Sequence, residues 1–315
     1  MLKFVLFGFK FGKFVHYPII KKNFELIKII SKQEKREKKE VSEIIRKADA
    51  ITIATPPLEQ KNIFNEAFVQ KKHIFFEKPL GFMPKKKIKI KKNQALMTSY
   101  IFPEIDVWKK LKYFLSKKHF GKIYYVQINW LLKSYVNKLN IKSWKTSLKK
   151  KGGVLNNFAP HVFNYVEFFF GKIKSVHIID KTYIKNKVTI NLRLTNNIFI
   201  NVCLDNNSLI KPVHSISIYG SKYNCVLSNQ NKNIVNNFKL VIFNKNKIIK
   251  TYKSKLKKNI YDERIKPMES LYKKFYLWIK YKKIQKPNFN DALRTELLIY
   301  AALKSIKLKK KINIS

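Results

Sequence analysis

A lysine follows an apolar run in HIFFEKPLGF, residues 73–82. The run has the composition of a buried strand, and Glu77, Lys78 and Pro79 come directly after it. A proline disfavours the helical conformation of the residue before it, so we expect Lys78 to be extended. Ligands bind at the carboxyl ends of parallel strands, so this lysine would point into a ligand cleft. The alternative is a solvated lysine, because lysines are abundant throughout the chain.

A histidine and an amide form a second candidate site, in KKGGVLNNFAPHVFNY, residues 150–165. Asn157 and His161 are four residues apart and would share one helical face if a helix begins near Asn157. A histidine beside a polar residue on an otherwise apolar helix suits general acid–base catalysis. The alternative is a core histidine whose nitrogens bind the backbone. The remaining histidines show no comparable pattern, although the first is close to the turn described next; they are His16, His73, His119, His177 and His214.

A glycine-bearing turn follows the first apolar run, in GFKFGKFVHYP, residues 8–18. Such a turn between a strand and a helix lets a dinucleotide pyrophosphate approach the backbone at the helix N-terminus. Compared with the fingerprint G-x-G-x-x-G, this turn is one residue short and keeps two glycines. An ordinary tight turn is an equal alternative. The candidate cofactor-binding residues of the turn are Gly8, Phe9, Lys10, Phe11 and Gly12.

Two further strand ends would face the same cleft. Where NAD-binding folds place a carboxylate for the ribose hydroxyls, this chain has Ser31 and Lys32. A hydroxyl and a cation suit a 2′-phosphate, which favours NADP slightly over NAD. The next strand ends in ATPP, so the predicted cofactor site also includes Thr55, Pro56 and Pro57, together with Glu77 and Lys78.

The elements that would position these residues alternate in the first third of the chain. Short runs that are apolar on both faces predict parallel strands covered by helices, and polar–apolar stretches such as 58–72 predict those helices. The sequence therefore predicts a doubly wound α/β domain. Its strands are expected at 3–8, 25–31, 50–55, 73–77 and 95–100.

After about residue 120 the pattern changes to strands with few helices between them, which predicts a largely antiparallel sheet. One helix is expected at 159–171, ended by Gly171, and others near 265–283 and 291–308, the last capped by Asn290. We expect a Rossmann domain at 1–103 and an α+β domain at 104–315, with the option that the last helix packs back on the first domain. The predicted strands of the second domain are 122–132, 175–180, 187–194, 198–205, 215–220 and 238–244.

The composition limits the functional classes. A formal net charge of +48 raises the possibility of a polyanion-binding protein, but the lysines are spread along the whole chain and come with abundant Ile, Asn and Phe. Compositional drift therefore explains the charge better than a nucleic-acid site. Cys203 and Cys225 lack metal or redox spacing, so we expect two buried thiols in a cytoplasmic protein and no metal site. No apolar run reaches the length of a membrane span.

The order of the motifs resembles the glucose–fructose oxidoreductase / inositol dehydrogenase family, Gfo/Idh/MocA. Seven motifs in the same order carry this resemblance over nearly the whole chain. They are GFKFGKFVHYP, ATPP, FFEKPLGF, FGKIYYVQINW, GGVLNNFAPHVFNYVEFFFG, IYGSKYNCVLSN and PNFNDALRTELLIYAALKS.

The resemblance implies an N-terminal Rossmann domain and a C-terminal domain whose open antiparallel sheet often forms oligomer contacts, hence a homodimer or homotetramer. It also implies NAD(P)-dependent oxidation or reduction of a hydroxyl or carbonyl carbon in a sugar, a cyclitol or a nucleotide-sugar-like substrate. In this chain Lys78 would place the nicotinamide and the substrate hydroxyl. His161 would be the general acid–base, supported by Asn157.

The chain departs from the family pattern at several positions. Asn157 and Asn164 stand where the family has aspartates, and the segment 32–49 is shorter than usual. An amide cannot stabilise an imidazolium by charge. A family member that binds a cofactor or a partner without turnover is therefore the alternative to an active dehydrogenase.

Overall fold

The computed structural model describes residues 1–31, 38–84, 88–180, 185–231, 235–254 and 261–314. The chain divides into two compact units, Met1–Ile101 with Ile260–Glu296, and Phe102–Asn259 with Leu297–Ser315. This division assigns Ile260–Glu296 to the first unit, whereas the sequence-based division at residues 103 and 104 places that segment in the second domain.

Strands and helices are numbered in chain order. The strands are β1 (Lys3–Phe7), β2 (Glu25–Ile30), β3 (Ala50–Ile53), β4 (His73–Phe76), β5 (Leu96–Thr98), β6 (Ile123–Leu131), β7 (Ile173–Asp180), β8 (Lys187–Leu194), β9 (Phe199–Asp205), β10 (Val213–Gly220), β11 (Asn224–Asn229), β12 (Lys239–Asn244), β13 (Lys247–Lys253) and β14 (Ile312–Asn313). The helices are α1 (Tyr17–Asn23, preceded by a π-helical turn at Gly12–His16), α2 (Lys38–Lys47), α3 (Pro57–Val69), α4 (Asp106–Ser116), α5 (Tyr135–Lys138), α6 (Gly153–Asn157), α7 (Ala159–Phe170), α8 (Ile265–Tyr281) and α9 (Phe289–Leu308). Short 3₁₀ turns lie at Phe102–Glu104, Trp144–Thr146 and Leu148–Lys150.

The first unit contains a parallel sheet with the strand order β2-β1-β3-β4-β5. Its inner strands are buried on both faces, as the four buried residues of β3 show. Helix α3 covers the sheet with Phe64, which packs edge-on against Phe76 of β4. The predicted Rossmann-like sheet is confirmed. The continuous apolar strands predicted it because such strands are buried on both faces only when helices cover them.

The second unit contains a mixed sheet with the order β13-β12-β11-β10-β6-β9-β8-β7-β14. Strands β6 and β9 are parallel and the other neighbouring pairs are antiparallel. Alternate residues of β9 and β11 are buried, so one face of these strands lies on the core and the other is partly exposed. The predicted open, mostly antiparallel sheet is confirmed.

Sequence reasoning missed several elements and one helix cap. Strand β13 is exposed along nearly its whole length, so its lysines obscure the apolar alternation. Helix α9 begins at Phe289, so the predicted cap Asn290 is wrong: Asn288 Oδ1 accepts the backbone N–H of Asn290, and Asp291 accepts the N–H of Asn288. Asn288 is therefore the N-cap: its side chain accepts from the second residue of the helix, and the carboxylate of the third residue binds its backbone N–H. Cys225 is buried as predicted, whereas Cys203 is partly exposed. No helix of the described ranges is long and apolar enough to cross a membrane.

Candidate active site

The glycine turn follows β1 at the carboxyl edge of the parallel sheet. Gly8 has a φ of +119°, and its N–H donates to Ile30 O at the end of β2. A Cβ on Gly8 would lie 2.4 Å from Ala54 O, so a larger residue cannot be accommodated. At Gly12 a Cβ would meet only side-chain atoms of Leu6 and Ala54, at ordinary distances of 3.5 Å or more. The shortened motif therefore keeps the glycine that the backbone requires.

The residues between these glycines are bulky. Phe9 is 51% exposed, and the ammonium of Lys13 lies 5.2 Å from its ring centre. The guanidinium of Arg264 lies 4.7 Å from the ring centre of Phe11. The turn is thus flanked by aromatic rings and by two cations.

Arg264 was missed by sequence reasoning, because its partners in the turn are some 250 residues away in the chain. Its Nε and one terminal nitrogen donate to the two oxygens of Asp262 at 2.8 and 2.5 Å. Burial opposes the charge of this guanidinium, but the hydrogen bonds and charge of Asp262 leave the pKa of Arg264 raised. The same ion pair overcomes burial at Asp262 and lowers the pKa of that carboxyl. A fully charged cation therefore lies against the turn.

The ends of β3 and β4 meet on the same edge. Helix α3 begins at Pro57, and Gly81 (φ +77°) approaches it so closely that a Cβ would lie 2.5 Å from Pro57 Cβ. Gln60 Nε2 also donates to Pro79 O at 2.9 Å. The hydroxyl of Thr55 is buried and has no hydrogen-bond partner among the described residues. The TPP and EKP turns therefore pack together, with an unsatisfied hydroxyl beside them.

Glu77 and Lys78 are held by their backbone. Glu77 N–H donates to Ile53 O at 2.8 Å, Lys78 N–H donates to Ser99 Oγ at 3.3 Å, and the Lys78–Pro79 peptide is cis. The Glu77 carboxylate lies 3.0 Å from Nε2 of His16, which is fully buried. Sequence reasoning put His16 near the turn but did not predict this partner. Ser31 follows β2 and is partly exposed, and Lys32 lies outside the described residues.

In the second unit, Asn157 and His161 belong to two successive helices. Asn157 ends α6, and His161 is in the first turn of α7, so the predicted single helical face does not form. Asn157 Nδ2 donates to Gly153 O at 2.9 Å and to Lys145 O at 3.2 Å. The amide is therefore used as a double donor, which a carboxylate could not replace.

His161 lies in an aromatic cluster. Its ring meets Phe102 edge-on at 5.1 Å and Trp130 at 5.8 Å. The same two rings contact His214, which meets Phe102 edge-on at 5.0 Å and stacks on Trp130 at 4.4 Å with the ring planes 2° from parallel. Tyr165 OH lies 3.3 Å from His214 Nε2. Sequence reasoning dismissed His214, since the rings around it come from distant segments.

Burial determines the charge state of this cluster. Desolvation lowers the pKa of His214 to about 3 and raises that of Tyr165 well above its usual value. Both groups are therefore neutral at physiological pH. Among the described residues, no group of three or more His, Cys, Asp or Glu side chains is placed to hold a metal ion.

Both units match models of one protein family. The model described as the oxidoreductase family's NAD-binding Rossmann fold matches residues 2–95, and the model of its C-terminal alpha/beta domain matches residues 112–314. The chain belongs to the Gfo/Idh/MocA oxidoreductase family. The family predicted from the motif order is thus confirmed, and the first unit contains its NAD-binding Rossmann domain.

Individual relatives are distant. An uncharacterized oxidoreductase of Synechocystis sp. is 23% identical over 214 residues, or 61% of this chain and 58% of that relative. The chain thus matches little more than half the length of this curated relative. Levoglucosan dehydrogenase in complex with NADH has a TM-score of 0.80 at 16% identity, with 100% of this chain and 99% of that chain covered. The WlbA dehydrogenase from Bordetella pertussis, in complex with NADH and UDP-GlcNAcA, has a TM-score of 0.76 at 15% identity, with 100% and 98% covered. These likenesses show a shared fold.

Proposed function

We propose that this Gfo/Idh/MocA protein is an NAD(H)-dependent dehydrogenase or reductase that acts on a CH–OH or carbonyl group of a sugar, a cyclitol or a nucleotide sugar. The observation that carries the proposal is the carboxyl edge of the parallel sheet. There the turns after β1, β3 and β4, which are neighbours in the sheet, bring together Gly8, Thr55 and the Glu77–Lys78 pair. Ligands of doubly wound sheets bind at this edge.

Two features fit a dinucleotide. Gly8, with a φ of +119°, gives the turn after β1 a conformation that other residues rarely adopt, and Thr55 offers a buried hydroxyl without a hydrogen-bond partner in the described part of the chain. The pyrophosphate would lie against the turn from Gly8 to Gly12, near the cation of Arg264. Thr55, Pro56, Pro57, Glu77 and Lys78 would line the nicotinamide side.

The choice between NAD and NADP belongs to this proposal. NADH is bound in the two solved structures named above, which supports NAD(H). The slight preference for NADP stays a prediction from Ser31 and Lys32. Comparing NADH with NADPH in the titration described below tests it directly.

Three residues take the catalytic roles in this proposal. When bound, the nicotinamide supplies or accepts the hydride. We propose that His161 removes the proton of the substrate hydroxyl or returns it to a carbonyl oxygen. Lys78 stabilises the negative charge that develops on that oxygen. Asn157 supports His161 by holding the carbonyls of Gly153 and Lys145, and thereby the turn that leads into α7.

The substrate class, the oligomeric state and the cellular location complete the proposal. Sugar-related substrates are supported by the levoglucosan dehydrogenase and WlbA structures, since the latter contains UDP-GlcNAcA. A homo-oligomer stays a prediction, and the open sheet face of the second unit is its candidate contact surface. Tyr125 stacks there between Phe199 and Tyr219. The cytoplasmic location also stays a prediction.

The test is a titration of the purified protein with NADH and NADPH, followed by nicotinamide fluorescence, and then a turnover screen with sugars, cyclitols and nucleotide sugars. Lys78→Met should abolish turnover of any substrate found, because the developing charge loses its cation. The matched control is Lys61→Met, which removes an exposed lysine of α3. Binding of neither cofactor would overturn the proposal. Binding without turnover of any substrate would favour a non-catalytic family member.

A further inference from the structure

A buried chain of polar side chains lies behind Glu77 in the first unit. His16 Nε2 lies 3.0 Å from Glu77 Oε1, and His16 Nδ1 lies 2.9 Å from Tyr272 OH. Tyr272 OH in turn lies 2.9 Å from Thr52 Oγ1. His16 and Thr52 are fully buried, whereas the Glu77 side chain remains 13% exposed. The chain therefore begins in the core and ends at the edge of the sheet.

The direction of the hydrogen bonds follows from the groups present. A carboxylate only accepts, so His16 Nε2 carries the proton toward Glu77. Burial raises the pKa of Tyr272, the hydrogen bond from Thr52 partly offsets this, and the charge of Glu77 raises it further. Tyr272 therefore stays a phenol. In the neutral imidazole, the phenol donates to Nδ1, which leaves each group polarised toward the carboxylate.

The four residues come from four separate elements. His16 ends the π-helical turn that follows the glycine turn, and Thr52 is in β3. Tyr272 is in α8, where Phe75 of β4 stacks on its ring at 4.4 Å. Glu77 follows β4. A shift of the first helix would therefore move the Glu77 carboxylate as well.

We propose that His16 and Tyr272 are positioning residues that hold the Glu77 carboxylate in one orientation, so that it accepts a hydrogen bond from a hydroxyl or carboxamide of the bound dinucleotide. This inference rests on the proposed function, because it assigns Glu77 to the cofactor site. It adds to that function a link between the glycine turn and the EKP turn. His16 itself has both ring nitrogens engaged and exchanges no proton with the substrate.

The test compares variants by NADH fluorescence titration and by thermal unfolding of the cofactor-free protein. His16→Phe keeps a ring but leaves Glu77 without its donor, and should raise the Kd for NADH about tenfold. His16→Gln keeps an N–H donor near Glu77 and should bind NADH more tightly than His16→Phe. Tyr272→Phe removes only the hydroxyl and should raise the Kd about threefold.

The matched control is Trp278→Phe, on the same helix as Tyr272. Trp278 is fully buried and donates one hydrogen bond, to Lys92 O at 3.1 Å. Its replacement should lower the melting temperature without changing the Kd for NADH. A purely structural role for His16 and Tyr272 would give the same result for their variants, and that outcome overturns the inference.

Two further measurements separate this inference from the proposed function. In the cofactor-free protein, Glu77→Gln should move the ¹⁵N signals of the His16 ring, which are assigned by their loss in His16→Gln. The effects of His16→Phe and Glu77→Gln on NADH binding should not add, because they break one interaction. Unmoved signals or additive effects overturn the inference while NADH binding by the wild type stands. Failure of the wild type to bind NADH removes both proposals.

Discussion

Two buried histidines, one in each unit, have opposite surroundings. His16 has a partner at both ring nitrogens, the carboxylate of Glu77 and the hydroxyl of Tyr272. His214 has Tyr165 at one nitrogen, while its Nδ1 is buried without a hydrogen-bond partner among the described residues. The ring of His214 lies among aromatic side chains, and its face stacks on Trp130.

The difference shows how surroundings assign roles to one residue type. A carboxylate neighbour makes His16 a connector between fixed groups, whereas aromatic burial keeps His214 neutral. Neither histidine is arranged to exchange a proton with a substrate. Of the three histidines in these two clusters, His161 is therefore the one to which we assign acid–base catalysis.

The prediction with the largest effect in this comparison tests the assignment of acid–base catalysis to His161. His161→Gln should lower kcat by at least about a hundredfold, because positioned proton transfer contributes 10²–10⁴-fold in enzymes. The Kd for NADH should change little, because the proposed cofactor contacts are residues of the first unit. Steady-state kinetics with NADH titration measures both.

His177→Gln is the control for that experiment. It removes a histidine from β7 of the same unit and should leave kcat unchanged. If His161→Gln kept wild-type turnover while His214→Gln lost it, the roles of the two histidines would have to be exchanged.

The sequence allowed the strand ends to be predicted but not the networks behind them. Gly8, Thr55 and Lys78 follow continuous apolar strands, and the order of such strands largely determines the first unit. The partners of His16 are 61 and 256 residues away, so no local pattern reveals them. Arg264 was missed for the same reason.

Asn157 is the opposite case, since its partners are local but residue type left its role open. Compared with a family aspartate, an asparagine suggested lost function. The contacts with Gly153 O and Lys145 O show an amide that donates two hydrogen bonds. Residue type alone could not distinguish decay from this use.

The second prediction tests that reading of Asn157. Asn157→Asp places an acceptor against two carbonyl oxygens and should lower the free energy of unfolding by about 1–3 kcal/mol. Urea denaturation measures this loss. Asn164→Asp is the matched control, because the same change is made at a partly exposed position of α7 and should cost less. Unchanged stability together with increased turnover of Asn157→Asp would instead identify a decayed aspartate.

The smallest expected effect concerns the charge of His214. Its pKa is about 3 in the folded protein, against a usual value of 6.5. Above pH 6.5 His214 is neutral in both the folded and the unfolded protein, and its burial costs no stability through protonation. As the pH falls from 6.5 toward 3, His214 gains a proton in the unfolded chain but not in the folded protein. Each pH unit therefore lowers the free energy of unfolding by at most about 1.4 kcal/mol.

His214→Phe keeps an aromatic ring beside Trp130 and removes this titration. The free energy of unfolding of the variant, measured in urea at pH 7, 6 and 5, should therefore fall less steeply than that of the wild type. Part of the loss of stability at acidic pH should remain in this variant, because burial also lowers the pKa of His73. His119→Phe, at an exposed position, should give a curve parallel to the wild type. If the His214→Phe curve were parallel as well, His214 would be protonated inside the aromatic cluster, and its contrast with His16 would disappear.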